Sequence, residues 1–310
     1  MEHVGKEMEK VIRKNKWNDR FQLLVSEVLG HPQVQEFIEE HKDIMTEEVI
    51  EKSYAKLYEF VQERKKYESG DSSMLAPGYE PKLFLNYRSI DVTYVPTKEL
   101  LARQKEAAIR QRVRAVDIPK DVREAKLSEF HLTAERMEAI EEASSFITAF
   151  KSQPKKFQKG LYLQGSFGVG KTYLLGAIAN ELAQYGFRTT LIHFPTFAVE
   201  MKQSIGDNST GEKLDEVKKS PILMIDDIGA DSMTPWVRDD ILGVILQYRM
   251  QEQLPTFFSS NFDMHQLEHE HLRQSQRGDD EPLKAKRIME RIRYLSKEIK
   301  MVGINRRNQE

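Results

Sequence analysis

The feature that most constrains the fold is the run GSFGVGKT, residues 165–172, which fits the pattern G-x-x-x-x-G-K-[ST] in full. An apolar segment leads into it and the helical segment YLLGAIANELAQYG leads out, which is the strand–loop–helix context of a phosphate-binding loop. The glycines let the backbone turn its N–H groups towards phosphate oxygens, and the helix adds its positive N-terminus. The run predicts nucleotide binding by Gly165, Ser166, Phe167, Gly168, Val169, Gly170, Lys171 and Thr172.

Within this loop, two side chains carry specific chemistry. Lys171 can reach the β- and γ-phosphates of a nucleoside triphosphate, and Thr172 can ligate Mg²⁺. The alternative is a glycine-rich turn that binds nothing. That alternative does not explain Lys-Thr at this offset, so ATP and Mg²⁺ are the predicted cofactors.

Two adjacent acids close the apolar segment PILMIDDIG, residues 221–229. Ligands of a parallel sheet lie at the carboxyl ends of its strands, and we place this strand beside the one that enters the phosphate loop. Asp226 then faces the Mg²⁺ held by Thr172, and Asp227 is the base for an attacking water. The alternative is a strand-to-loop turn with solvated acids.

The segment PTFFSSN ends in Asn261, an amide that can hold the attacking water or contact the γ-phosphate. The alternative is an N-cap for the helix that follows. Because Asn261 ends the strand that follows the two acids along the chain, we favour a phosphate sensor.

Short apolar strands alternate with helices from residue 159 onward: GLYLQG, RTTLIHF, PILMIDDIG, PTFFSSN and IKMVGIN. This alternation predicts an α/β fold, a parallel sheet flanked by helices. Upstream, helical periodicity begins near Trp17, and KLFLNYRSIDVTYV predicts a hairpin. We place a small helical and hairpin domain at 1–96, a linker that contains a charged helix at 97–125, and the ATPase domain at 126–310.

Composition limits the cellular setting more than the function. Lys and Arg number 47 against 49 Asp and Glu, so net charge does not point to nucleic acid, although the stretch Arg103–Lys126 is basic. The chain has no cysteine, which excludes disulfides and Cys-ligated zinc. No apolar run approaches the ~20 residues of a membrane span. We expect a cytoplasmic protein with no membrane partner.

Taken together, these motifs resemble the AAA+ branch of P-loop ATPases, and within it the bacterial replicative helicase loaders of the DnaC/DnaI type. The segments GLYLQGSFGVGKTYLLGAIANEL, LPTFFSSNF and AKRIMERIRYL carry the likeness, and GYEPKLFLNYRSIDVTY resembles the helicase-binding domain of such loaders. The resemblance implies a hexameric replicative helicase and single-stranded DNA as partners, with other primosome proteins as further candidates. It also implies a reduced lid, and hence weak self-association without a partner.

The resemblance fails at one point. Bacillus-type loaders carry a zinc-binding cysteine cluster around the N-terminal hairpin, whereas this chain has none, so we predict no zinc. His31 and His41 are interpreted as solvated surface residues. Apolar packing must then hold the small domain, with eight candidates for its core: Tyr54, Leu57, Tyr58, Val61, Leu83, Leu85, Ile90 and Val92.

Arginines near the C-terminus are candidates for stabilising transition-state charge. The resemblance favours Arg291, and then Arg287, as an arginine finger that reaches a neighbouring subunit. A basic amphipathic helix with solvated or paired arginines is the alternative. Arg306 or Arg307 is a candidate for an in-cis nucleotide sensor, and a floppy basic tail is the alternative.

The insert between the second and third of these predicted strands has a mixed pattern. Five of its residues combine aromatic and basic character, which suits base stacking and phosphate tracking on single-stranded DNA: Phe194, Phe197, Lys202, Lys218 and Lys219. From the residues alone, core aromatics on a solvated helix pair are the preferred interpretation, whereas the resemblance favours single-stranded DNA here or on the adjacent surface.

The function predicted from sequence is an ATP-dependent loader of a replicative helicase onto single-stranded DNA. Two alternatives stay open, a transposition-helper ATPase with the same core and a nucleotide-gated adaptor with little turnover.

Overall fold

The computed structural model describes residues 22–230, 233–273 and 280–305, and the chain divides into two compact units, Met1–Lys105 and Glu106–Glu310. The helical periodicity predicted near Trp17 lies outside the described residues. No helix among the described residues is long and apolar enough to cross a membrane.

The first unit places helices against an antiparallel hairpin. Its elements are α1 (22–29), α2 (Pro32–Glu40), α3 (Glu47–Ser69), β1 (Tyr79–Asn86) and β2 (Ser89–Pro96). Helix α3 begins where the Thr46 hydroxyl accepts a hydrogen bond from the Val49 N–H. It ends at Gly70, whose φ of 69° is the left-handed cap that glycine adopts without strain.

The core of this unit joins α3 to the hairpin. Buried Ser53 links them, because its hydroxyl donates to the Val49 carbonyl and accepts from the Ile90 N–H at 2.7 Å. Most of the predicted core residues lie in this cluster, but Tyr58 is 39% exposed and Leu85 lies outside it. The core instead includes residues that were not predicted: Val28, Val34 and Phe60.

The interpretation of both histidines as solvated is wrong. His31 is half-buried at the start of α2, its ring packs edge-on to Phe60, and burial lowers its pKa. The ring of His41 lies 4.4 Å from that of Phe37, whose carbonyl oxygen lies 2.8 Å from His41 Nδ1. Both imidazoles therefore belong to the packing of the small unit.

The second unit is built on a six-stranded parallel sheet. Its strands are β3 (Val113–Val116), β4 (Gly160–Gln164), β5 (Thr189–His193), β6 (Ile222–Asp226), β7 (Thr256–Ser260) and β8 (Ser296–Lys300). They lie in the order β3-β5-β6-β7-β4-β8. This confirms the predicted α/β class of AAA+ type.

Helices cover both faces of this sheet, and successive residues of a strand face opposite sides. In β6, Ile222 and Met224 pack in one cluster with α6 (Met137–Ser152) and α7 (Lys171–Gln184). Leu223 and Ile225 pack on the other face. That face carries α8 (Phe194–Gln203), α9 (Thr210–Lys218), α10 (Gly243–Gln251), α11 (Met264–Gln266) and α12 (Pro282–Leu295).

Two helical stretches are wound as π-helix, Val237–Leu242 before α10 and Leu267–Leu272 after α11. In the described chain after Asn261, the helices are α11, the π-helical stretch Leu267–Leu272 and α12, and they are followed by β8. The lid is therefore reduced, as predicted.

Three local predictions differ from the structure. Strand β6 does not lie beside the phosphate-loop strand β4, because β7 lies between them. The segment 97–125 contains the predicted charged helix, α4 (Lys98–Arg112), but also edge strand β3 and the short helix α5 (Lys120–Arg123), which were not predicted. Strand β8 ends at Lys300, earlier than the predicted segment IKMVGIN. The exact domain limits stay a prediction.

Candidate nucleotide site

The phosphate loop connects β4 directly to α7. Gly168 and Gly170 have φ of 75° and 96°, left-handed conformations that strain any residue with a Cβ. Gly170 is also the N-cap of α7, so the positive end of that helix faces the loop. The Gly165 N–H donates to the Ser260 carbonyl at the end of β7, which holds the loop against the sheet.

The Lys171 ammonium lies at the centre of this loop and is only 7% exposed. Its Nζ donates to the carbonyls of Gly165 (2.7 Å) and Ser166 (2.9 Å), and to Asn261 Oδ1 (2.8 Å). A buried ammonium needs acceptors, and the anionic oxygens of a phosphate are stronger acceptors than carbonyls.

Thr172 and Asp226 meet directly. The Thr172 hydroxyl lies 2.9 and 3.1 Å from the two carboxylate oxygens, and the Ser259 hydroxyl donates to the same carboxylate. Asp226 is 4% exposed, and burial raises its pKa. A hydroxyl and a carboxylate are the oxygen ligands that Mg²⁺ prefers, and a divalent cation would keep this buried acid ionised. The pair therefore fits Mg²⁺.

Asp227 lies outside this pair, with a left-handed φ of 59°. Its N–H donates to the Ser259 hydroxyl at 2.9 Å, and Asn261 Nδ2 donates to Asp227 Oδ1 at 3.3 Å. Asp227, Asn261 and Lys171 therefore form one connected group. Its carboxylate is partly exposed, as a base for a water molecule must be.

His193 also lies beside this group, and it was not predicted from the sequence. Its Nε2 lies 3.9 Å from Asp227 Oδ2, and its Nδ1 lies 2.8 Å from the Thr196 hydroxyl. Interaction with the Asp227 carboxylate raises the pKa of His193. The signal available in the sequence was its place at the end of β5, in register with Asp226.

These side chains line a cavity of about 610 Å³. Its other wall comes from the stretch 117–136, which had been divided between the predicted linker and the start of the ATPase domain. Ile118 and Phe130 give this wall an apolar surface beside the phosphate loop. The guanidinium of Arg136 lies 5.5 Å from the centre of the Phe130 ring. The cavity thus offers an apolar part and a phosphate-binding part, as a nucleotide requires.

The last described residues run along the phosphate loop. The Met301 N–H donates to the Gln164 carbonyl at 2.7 Å, and the Asn305 side chain lies so close to Gly168 that a Cβ there would approach it to 1.9 Å. The chain beyond β8 therefore adds to the need for glycine in the loop.

The candidate arginines do not join this group. Arg291 is partly buried on α12, donates to the Gly243 carbonyl at 2.9 Å, and has its pKa lowered by burial. Arg287 is exposed on the same helix. Neither lines the described part of the cavity. Arg306 and Arg307 lie outside the described residues.

For the insert between β5 and β6, the structure confirms the interpretation of its phenylalanines as core aromatics. Phe194 and Phe197 are each only 3% exposed and pack in the core, so they cannot stack bases. Lys202 is exposed, while Lys218 and Lys219 both pair with Asp215. Among the described residues there is no group of three or more potential metal-ligating His, Asp or Glu side chains.

Comparison with known families gives two matches along the chain. The model described as the primosomal protein DnaI N-terminus matches residues 1–94. The model described as the bacterial DnaA ATPase domain matches residues 137–270.

Comparison with individual proteins gives a full-length likeness. The chain is 41% identical to the replicative helicase loader DnaI of Bacillus subtilis strain 168 over 315 aligned positions, covering 99% of this chain and 100% of that protein. A crystal structure of DnaI superposes with a TM-score of 0.56 at 49% identity, covering 64% of this chain and 98% of that one. The crystal structure of a proposed primosome component from Streptococcus pyogenes serotype M3 superposes with a TM-score of 0.53 at 46% identity, covering 66% of this chain and 100% of that one.

Proposed function

This chain belongs to the family of the replicative helicase loader DnaI, and we propose that it is an ATP-dependent loader that places a hexameric replicative helicase on single-stranded DNA. The observation that carries the ATP requirement is that the pair Thr172–Asp226 lies beside the connected group of Asp227, Asn261 and Lys171 at one edge of the sheet, with Ser259 bonded to both acids. The full-length likeness to a helicase loader supports the choice of partner.

In the proposed mechanism, the phosphate loop binds the β- and γ-phosphates through its N–H groups and the Lys171 ammonium. Thr172 and Asp226 would hold Mg²⁺, which when bound supplies positive charge against the phosphate oxygens. Asp226 stays ionised under that charge. Ser259 orients Asp226 by its hydrogen bond and, through the Asp227 N–H, fixes the neighbouring residue as well.

Hydrolysis requires a water molecule to lose a proton. Asp227 is the proposed acceptor of that proton, and Asn261 orients the water while contacting the γ-phosphate. His193 holds the Asp227 carboxylate from the other side. All three side chains belong to neighbouring strand ends, so a change at the phosphate can reach β5, β6 and β7 together.

An arginine from a neighbouring subunit would complete this site. Arg287 fits this role by its exposure, whereas Arg291 would first have to release the Gly243 carbonyl. The reduced lid leaves little surface for self-assembly, so we propose that the helicase ring brings the loaders together. Slow turnover by the protein alone follows from that dependence.

The first experiment tests the partner. The full-length protein and the unit Met1–Lys105 are each immobilised and offered the cognate replicative helicase, with and without ATP. We expect both to retain the helicase, since the family match to residues 1–94 lies in that unit. Failure of the full-length protein to retain helicase would refute the loader function. Failure of the unit alone would move the docking surface elsewhere.

A second candidate function is a nucleotide-gated adaptor that binds ATP but barely hydrolyses it. Lys171 donates directly to Asn261, and this hydrogen bond favours a site that responds to the binding of nucleotide, whatever the rate of turnover. A transposition helper, the third candidate, would bind a transposase instead, and the N-terminal match disfavours it.

The substitution Asp227→Asn tests whether the protein must hydrolyse ATP or only bind it. We expect turnover to fall at least about 100-fold, the usual contribution of a general base, while ATP affinity changes little. The measurements are phosphate release and helicase loading onto a single-stranded circle, with Asp240→Asn on the exposed surface as the matched control. Loading that survives in Asp227→Asn would establish the adaptor; turnover equal to wild type would remove Asp227 from its proposed role.

A further inference from the structure

A second cleft, of about 560 Å³, lies at the amino ends of β3, β5 and β6, the opposite edge of the sheet from the nucleotide cavity. Four cationic side chains from separate parts of the chain line it: Arg112, Arg114, Arg188 and Lys219. Glu216 is the only carboxylate among the described lining residues. The fold thus concentrates basic residues that the sequence distributes over 108 positions, from 112 to 219.

The charges of this cleft are only partly neutralised. Arg114 pairs with Glu216, and Lys219 pairs with Asp215 at 2.5 Å. Arg112 donates to the Ala183 carbonyl, and neither Arg112 nor Arg188 forms an ion pair within the described residues. Arg188 is exposed just before β5. A positive excess therefore remains at this edge of the sheet.

A buried hydroxyl in the same cleft has no partner. Thr189 is 1% exposed, and its Oγ1 makes no hydrogen bond within the described residues. The neighbouring Thr190 hydroxyl, by contrast, accepts from Ser220 at 2.8 Å. Buried polar groups are normally paired, so an orphan hydroxyl on a residue that lines this cleft together with three arginines points to a ligand that supplies an acceptor.

We propose that this cleft binds a phosphate of the single-stranded DNA backbone, with Arg112, Arg188 and Lys219 around the phosphate and Thr189 donating to one of its oxygens. None of the described lining residues is aromatic, so the cleft suits the backbone and not the bases. The proposal rests on the proposed function for its choice of DNA. It replaces base stacking by Phe194 and Phe197 with contacts to phosphate.

The test measures binding of fluorescein-labelled oligothymidylate to the full-length protein by anisotropy, with ATP, Mg²⁺ and the cognate helicase, over a range of salt. Arg188→Glu should weaken binding by about three- to tenfold and make the slope of log K against log salt shallower by about 0.7, the value of one phosphate contact. Lys155→Glu, an exposed lysine elsewhere on this unit, is the matched control and should change neither quantity.

Thr189→Val tests the site itself, since it changes no charge and little volume. We expect it to weaken DNA binding severalfold with an unchanged or higher melting temperature, because an unpaired hydroxyl is removed from the interior. If Arg188→Glu weakens binding and Thr189→Val does not, the arginine acts by long-range attraction and the cleft is not a binding site. Equal affinity in all variants overturns the proposal as well.

Two further measurements show which kind of phosphate the cleft binds, and whether a negative result concerns the cleft or the loader function. Inorganic phosphate at millimolar concentration should not displace the oligonucleotide; displacement would assign the cleft to a small anion. Helicase capture is measured on the same Arg188→Glu protein and should be unchanged. Lost DNA binding with intact capture supports the cleft, whereas lost capture by wild-type protein would refute the loader function instead.

Discussion

Replacing Lys171 with alanine is expected to lower ATP affinity at least about 100-fold, equivalent to about 2.7 kcal/mol, and to reduce turnover below detection. The ammonium is the one cation that the structure places inside the phosphate loop among the described residues, 2.7 to 2.9 Å from three acceptors. The backbone N–H groups of the loop remain in the variant, but they cannot replace a full charge on the β- and γ-phosphates.

The same substitution also tests whether Asn261 senses the nucleotide. In the structure Asn261 accepts from Lys171 and donates to Asp227, so it connects the phosphate loop to the proposed base. Without the ammonium, Asn261 loses one of two fixed contacts. We therefore expect Lys171→Ala to abolish helicase loading even where Asp227→Asn leaves it intact.

Calorimetric titration with ATP and with a non-hydrolysable analogue gives the affinity, and Lys202→Ala, an exposed lysine on α8, is the control. The thermal midpoint without nucleotide should stay close to that of wild type, so that lost binding is not lost folding. Wild-type affinity in Lys171→Ala would contradict the assignment of the loop.

The local motifs were predictable because each consists of a few consecutive residues. The phosphate loop needs glycine at fixed offsets, and Asp226 follows an apolar strand, so both were found without knowledge of the sheet. Strand order is different. That β7 lies between β6 and β4 depends on how crossover helices pack, which no short pattern encodes. The assignment of Asp226 was unaffected, since it required only a shared edge with Thr172.

The rest of the site was missed for a related reason. Strand β3 has four residues at the end of a charged helix, too short for periodicity to separate it from that helix. The wall of the cavity follows it in irregular turns, where Ile118 and Phe130 have no repeating neighbours. His193 carried no motif at all. Its relevance comes only from the pairing of β5 with β6, in which His193 lies in register with Asp226, 33 positions later in the sequence.

A second large effect is expected from a residue far from any motif. Arg249 on α10 is fully buried, and its guanidinium donates to the Thr256 hydroxyl and to the carbonyls of Lys218, Ser220 and Pro255 at 2.7 to 3.0 Å. Burial lowers its pKa to about 9, so it remains charged at neutral pH. These bonds fix the chain where it enters β6 and β7, the strands that carry the paired acids and Asn261.

Arg249→Met should destabilise the ATPase unit by about 3–5 kcal/mol, because three of the four acceptors are backbone carbonyls that no further substitution can remove. A buried charge can be replaced without loss only when its partners are replaced with it. For a unit of this size the thermal midpoint should fall by roughly 10 °C.

Arg287→Met makes the same chemical change on the exposed face of α12, and its free energy of unfolding should stay within about 0.5 kcal/mol of that of the wild type. Equal midpoints for the two variants, measured by calorimetry, would mean that water replaces the guanidinium at the amino ends of β6 and β7. If Arg249→Met also loses ATP turnover below its midpoint, then the position of the acids at one end of these strands depends on the bonds at the other.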